Sequence, residues 1–138
     1  MAHLQRALAT LRISGDELLP DEISALLGAK PSQAQAKGQE LTFSSGRTRV
    51  AKFGLWRLFS SDTEPENLDA QVSELLGQLT GDLAVWRSIS ERYKLDLFCG
   101  WFMGSSNDGV EISPATLLAL GERGIVLALD IYGPDTDT

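Results

Sequence analysis

Residues Leu95 to Phe102, Leu-Asp-Leu-Phe-Cys-Gly-Trp-Phe, carry one charge, Asp96, in eight positions. A run this short and this apolar on both of its alternating faces predicts a central β-strand covered on two sides. The chain around it must therefore supply neighbouring strands and covering layers. Its 138 residues are enough for one hydrophobic core, so a single domain over 1–138 is expected. With 43% hydrophobic and 22% charged residues, the composition is that of a folded globular chain.

The neighbours are visible. Ala7, Ala9, Leu11 and Ile13 alternate with Leu8, Thr10, Arg12 and Ser14, which predicts a strand over Leu4 to Ser14 with the first set inward. Pro20 pre-sets a short helix carrying Ile23, Leu26 and Leu27, and Gly28 is placed to end it. The stretch Pro31 to Arg49 is poorly patterned, with short strands expected near Gln33 to Lys37 and Leu41 to Phe43. Phe53 to Ser60 reads as a strand with Leu55, Arg57 and Phe59 on one face and Trp56 and Leu58 on the other.

Asn67 can cap a helix bearing Leu68, Val72, Leu75, Leu76 and Leu79, ended by Gly81; Asp82 can cap another bearing Trp86, Ile89 and Tyr93. Gly104 to Gly109 reads as a polar hairpin loop leading to Val110-Glu111-Ile112. Ser113-Pro114 starts a helix with Leu117, Leu118 and Leu120 inward and Gly124 beyond its end, and Ile125 to Tyr132 closes the fold as a strand. Strands and helices without regular βαβ alternation predict an α+β domain: an antiparallel or mixed sheet with about four helices packed on it.

An ordered set of short blocks carries a family resemblance. They are Ile13-Ser14-Gly15-Asp16, Leu19-Pro20-Asp21-Glu22-Ile23, Leu26-Leu27-Gly28, Pro31-Ser32, Lys37-Gly38, Gly54-Leu55-Trp56, Leu97-Phe98-Cys99-Gly100-Trp101-Phe102 and Leu129-Asp130-Ile131-Tyr132. Together they span most of the chain, which resembles the bacterial family catalogued as domain of unknown function 4279. The resemblance implies the fold and transfers no catalytic motif.

Residue inventory narrows the function classes. Cys99 is the only cysteine and His3 the only histidine, so neither an intramolecular disulfide nor a structural zinc site built on Cys and His can form. A reducing, cytoplasmic setting is expected; no signal peptide and no membrane span is read. Cys99 lies among apolar residues, where a thiol acts as a small hydrophobe, and a Cys99–His3 pair would need their strands to adjoin. No P-loop or dinucleotide fingerprint is present, and no cofactor or metal is expected.

Two constellations are left. Two of Asp16, Asp96 and Asp130 could supply an acid/base pair or a divalent metal site if their strands adjoined; otherwise Asp16 is a turn former and the others are strand aspartates paired or solvated. Lys30 to Arg57 holds six bases against Glu40 alone, a local +5 in a chain of net charge -7. Asp62 to Asp82 follows with six acids and no base. Lys37, Arg47, Arg49, Lys52 and Arg57 near Phe43, Phe53 and Trp56 could hold an anionic ligand, an RNA end or an acidic protein surface, or could merely solvate a loop and pair with the acidic run. Net charge argues against general nucleic-acid binding. Trp101, at a strand end, is either an exposed contact or a core plug.

The expectation is a non-enzymatic protein-binding or regulatory module with no assigned catalytic residue. Its partner is a protein, or a second copy through a sheet edge or helix face. Lys37, Arg47, Arg49, Lys52, Trp56, Arg57, Asp16, Asp96 and Trp101 are its candidate contacts. The alternative is a small-molecule-binding protein or hydrolase with a carboxylate-containing pocket.

Overall fold

The computed structural model describes residues 6–134. Strand β1 (Arg6–Gly15) buries Ala7, Ala9, Leu11 and Ile13 while its alternate residues stay partly open, so the period of two sets the two faces of the sheet. Strands β2 (Gln33–Gln35), β5 (Gly54–Phe59), β6 (Lys94–Phe102) and β7 (Val126–Tyr132) join it in the order β2-β5-β1-β6-β7, with β1 in the middle. All pairs are antiparallel except β6 with β7, so the sheet is mixed.

Register carries the β1 pattern across its neighbours. Leu11 lies opposite Leu58 and Leu97, Ile13 opposite Trp56 and Leu95, and Ala9 opposite Cys99. These residues form one core with the buried faces of the helices. Among the described residues the other face of the sheet has no helix layer. The expectation that β6 is covered on both sides is therefore corrected: it is an inner strand, but Phe98 and Phe102 face the open side, where Arg12 and Arg6 lie 4.4 and 5.0 Å over their rings. Long guanidinium side chains cover apolar surface there in place of a second layer.

Helix α1 (Pro20–Leu27) begins at its proline and ends at Gly28, whose φ of 81° is the left-handed conformation that glycine adopts freely. In α2 (Leu68–Leu76) the Asn67 side chain accepts from Ala70 N–H, and in α3 (Leu83–Arg92) Asp82 accepts from Ala84 N–H. The first of these ends at Leu76 with Gly77 as its cap, four residues before Gly81. Leu79 is buried in the turn that follows. Gly54 sits where β5 meets the end of β1: a Cβ there would stand 2.7 Å from the carbonyl oxygens of both Gly15 and Leu18. No side chain fits such an approach.

The 104–109 segment does not lead into a hairpin. Parallel strands need a crossover, and the chain passes through α4 (Pro114–Glu122) between β6 and β7. Asp108 closes the loop by accepting from the backbone N–H of Gly104 and from the Ser105 hydroxyl. Of the three leucines expected inward on α4, Leu120 is buried, whereas Leu117 and Leu118 are exposed because no element packs outside this crossover among the described residues.

Strands β3 (Glu40–Thr42) and β4 (Thr48–Val50) form a separate two-stranded arm. Its second strand gave no sequence signal: Thr48, Arg49 and Val50 are all exposed, so there is no buried face to impose alternation.

Helices α2 and α4 are tied through Asp69, whose Oδ1 accepts from Thr116 Oγ1 at 2.6 Å and from the Ser113 backbone N–H at 3.1 Å. The Thr116 hydroxyl first, then the Ser113 amide, hold this carboxyl below its ordinary range. A depressed folded value contributes stability above the unfolded value, near pH 4, that is lost as pH falls through the folded one. Asp69→Asn should melt below the wild type at pH 7, with the gap closing below about pH 4. Thermal melts across pH 2.5–7 check this; an undiminished gap at pH 3, or none at pH 7, would contradict it.

Candidate functional site

Because β5 alternates, Leu55, Arg57 and Phe59 emerge on the open face of the sheet, beside Gln33 and Gln35 of β2. The arm stands against this face. Between them is a cavity of about 1010 Å³ lined by, among others, Phe43, Arg49, Lys52, Phe53, Leu55 and Arg57. Arg49 lies 5.5 Å over the Phe43 ring, and Arg57 Nη1 donates to Gln33 Oε1 at 3.2 Å. Among the described residues Glu40 is the only acid of the lining. Leu55 is buried yet stands apart from the main core, under the arm side of the sheet.

A smaller hollow of about 180 Å³ adjoins the groove and shares Phe53, Leu55 and Arg57 with it; Arg12, Ser14, Lys94 and Asp96 complete its lining. Here Arg12 Nε and Nη2 donate to Asp96 Oδ1 and Oδ2, both at 2.8 Å. The Asp96 side chain is 6% exposed and that of Arg12 31%. Hydrogen bonding to Asp96 raises the already high pKa of Arg12, against the opposing effect of desolvation. Both carboxylate oxygens are thus engaged by one fork.

The structure brings together Arg49, Lys52, Arg57 and Asp96 of the residues singled out by sequence. Lys37 instead pairs with Asp16 at 3.3 Å, both exposed and outside the two linings. Arg47 sits in the exposed tip of the arm. Trp56 and Trp101 are not surface contacts: each belongs to the core face, Trp56 with its Nε1 donating to Ser24 Oγ and Trp101 with a buried Nε1 that has no partner. Among the described residues no ion pair joins Lys30–Arg57 to the Asp62–Asp82 run, so the basic segment is not neutralised by it.

The three aspartates do not converge. Asp130 lies opposite Gly100, four residues along β6 from Asp96, and accepts from the Tyr132 hydroxyl at 2.7 Å. At about 3.3 Å per residue that is roughly 13 Å. Asp16 is engaged by Lys37. Cys99 is fully buried, and burial first, then the Asp96 charge, pushes its thiol up to about 12. A thiol held neutral in this way is a poor nucleophile. His3, its conceivable partner, lies outside the described residues.

Arg12, Ser14 and Lys94 went unrecognised in the sequence. Arg12 occupies an outward position of the β1 alternation, but its place beside Arg57 is visible only from the register of β1 with β5.

The family model described as Domain of unknown function (DUF4279) matches residues 4–134. The chain belongs to this family. No curated protein and no solved structure matches it. Membership assigns no chemistry to any residue. No helix among the described residues is long and apolar enough to cross a membrane.

Proposed function

We propose that this DUF4279 chain is a non-enzymatic binding module that holds an acidic stretch of a protein partner between the arm and the open sheet face. The observation that supports this reading is the groove itself: Arg49, Lys52 and Arg57 share one cavity with the rings of Phe43 and Phe53, against Glu40 alone. In a chain of net charge -7, a local excess of cations is the surface on which an acidic partner gains most. Arginine and aromatic side chains are also the usual anchors of protein interfaces. The carboxylate-pocket alternative has less in its favour, since Asp16, Asp96 and Asp130 stand apart and each is engaged.

Self-association is a second reading, favoured by one specific observation. The edge strand β7 exposes Val126, Leu129, Ile131 and Tyr132 next to the exposed Leu117 and Leu118 of α4. An unpaired apolar edge of this length is a template for another strand.

Amide shifts on titration with an aspartate- and glutamate-rich peptide carrying one leucine should cluster within residues 33–57. Affinity should fall at least about tenfold in the Arg49→Glu/Lys52→Glu double variant, about 1.4 kcal/mol, and hold in Arg87→Glu on α3. Shifts confined to the helix layer, or equal losses in both variants, would contradict the groove. The second reading predicts a dimer in light scattering that Leu129→Lys converts to monomer; a wild-type monomer at high concentration rules it out.

A further inference from the structure

The register of the sheet sets three charged residues in one row across the open face. Arg12 of β1 lies directly opposite Arg57 of β5 on one side and Asp96 of β6 on the other. Two like charges directly opposite each other on neighbouring strands oppose the pairing. Asp96 relieves only one of them, because both of its oxygens are taken by Arg12.

Arg57 is left short of partners. Its Nη1 donates to Gln33, while its Nε is buried with no hydrogen-bond partner. A buried donor of a charged group ordinarily finds an acceptor. In the neighbouring row Lys94 stands opposite Ser14, and no acid pairs with it among the described residues. Arg57, Lys94 and Ser14 all line the 180 Å³ hollow, together with Arg12, Phe53 and Asp96. Its lining thus holds three cations against one carboxylate that is already consumed.

We infer that this hollow is a subsite for a single oxyanion group, a carboxylate or a phosphate, held by Arg57 and Lys94 with the Ser14 hydroxyl as an additional donor. The anion would supply Arg57 with the negative charge that Asp96, held by Arg12, does not supply. Size narrows the ligand: pockets that enclose whole small molecules start near roughly 300 Å³, and a water occupies about 30 Å³. The hollow therefore suits one charged headgroup, with the rest of its bearer lying in the adjoining groove past Phe53. The inference rests on the groove as a binding face only through that shared wall, and it is testable without any partner.

The probes are inorganic phosphate and acetate, titrated into the uniformly ¹⁵N-labelled protein at ionic strength held constant with chloride. Saturable shifts are expected at the Arg57 side-chain Nε–H and at the amides of Ser14, Leu55 and Lys94. Arg57→Gln should weaken binding at least tenfold and Lys94→Gln several-fold, while Arg87→Gln leaves it unchanged; thermal melts confirm that each variant is folded. Stronger saturation by phosphate identifies a phosphate-bearing ligand, and by acetate a carboxylate-bearing one. Non-saturating shifts matched by chloride, or an Arg57→Gln variant that binds like the wild type, would overturn the subsite. An acidic peptide that binds the groove with no competition from either anion would overturn it while sparing the groove. Saturable anion binding without any peptide binding would do the reverse.

Discussion

Asp96 is nearly inaccessible to solvent in the most apolar strand of the protein, and the open face of the sheet is organised by what neutralises it. A carboxylate in that position needs a partner with matching geometry. Removing one member of a buried pair costs about 3–5 kcal/mol, whereas an exposed pair contributes at most about 1. The Arg12–Asp96 pair falls between these limits, since Arg12 is 31% exposed on its side chain. Its fork fixes Arg12 over the Phe98 ring, closing the centre of the face. The same geometry leaves Arg57, one strand further on, without an anionic partner of its own.

The two faces of the sheet consequently do different work. The helix side is apolar: Leu11, Ile13, Trp56, Leu97 and Cys99 meet Val72, Leu75, Trp86 and Ile89 in one core. Burying a large apolar side chain contributes about 1.5–3 kcal/mol, so this side supplies most of the stability. The open side has few such groups, and its rings lie under arginines. What it offers is charge and concavity between the sheet and the β3–β4 arm. Gly54 lets the chain after β1 pass close to β5, and Gly15 leaves room for the Tyr93 ring.

Much of this was legible in the sequence. The β1 alternation gave the core face. Pro20 with Gly28, and Ser113-Pro114 with Gly124, bracketed their helices through signals local to the backbone. What failed needed neighbours. Strand β6 looked covered on both sides because Phe98 and Phe102 are apolar, and no local pattern shows that arginines from β1 cover them. Leu117 and Leu118 looked inward because leucine usually is. At the site, the Lys30–Arg57 charge excess pointed to Arg49, Lys52 and Arg57. Trp56 was drawn in by proximity, although a period of two sends the neighbour of Arg57 to the opposite face. Arg12, Ser14 and Lys94 are far from that segment in sequence and enter through register alone.

We propose that the working surface is the open face beneath the arm, and not the apolar edge formed by α4 and β7. The most direct test places a photo-crosslinking phenylalanine analogue at Phe53 in one variant and at Leu118 in another, each expressed in the native host and irradiated. A discrete adduct is expected between the Phe53 variant and a different polypeptide, and none from Leu118. Adducts from Leu118 alone, above all ones that join two copies of this chain, would contradict it.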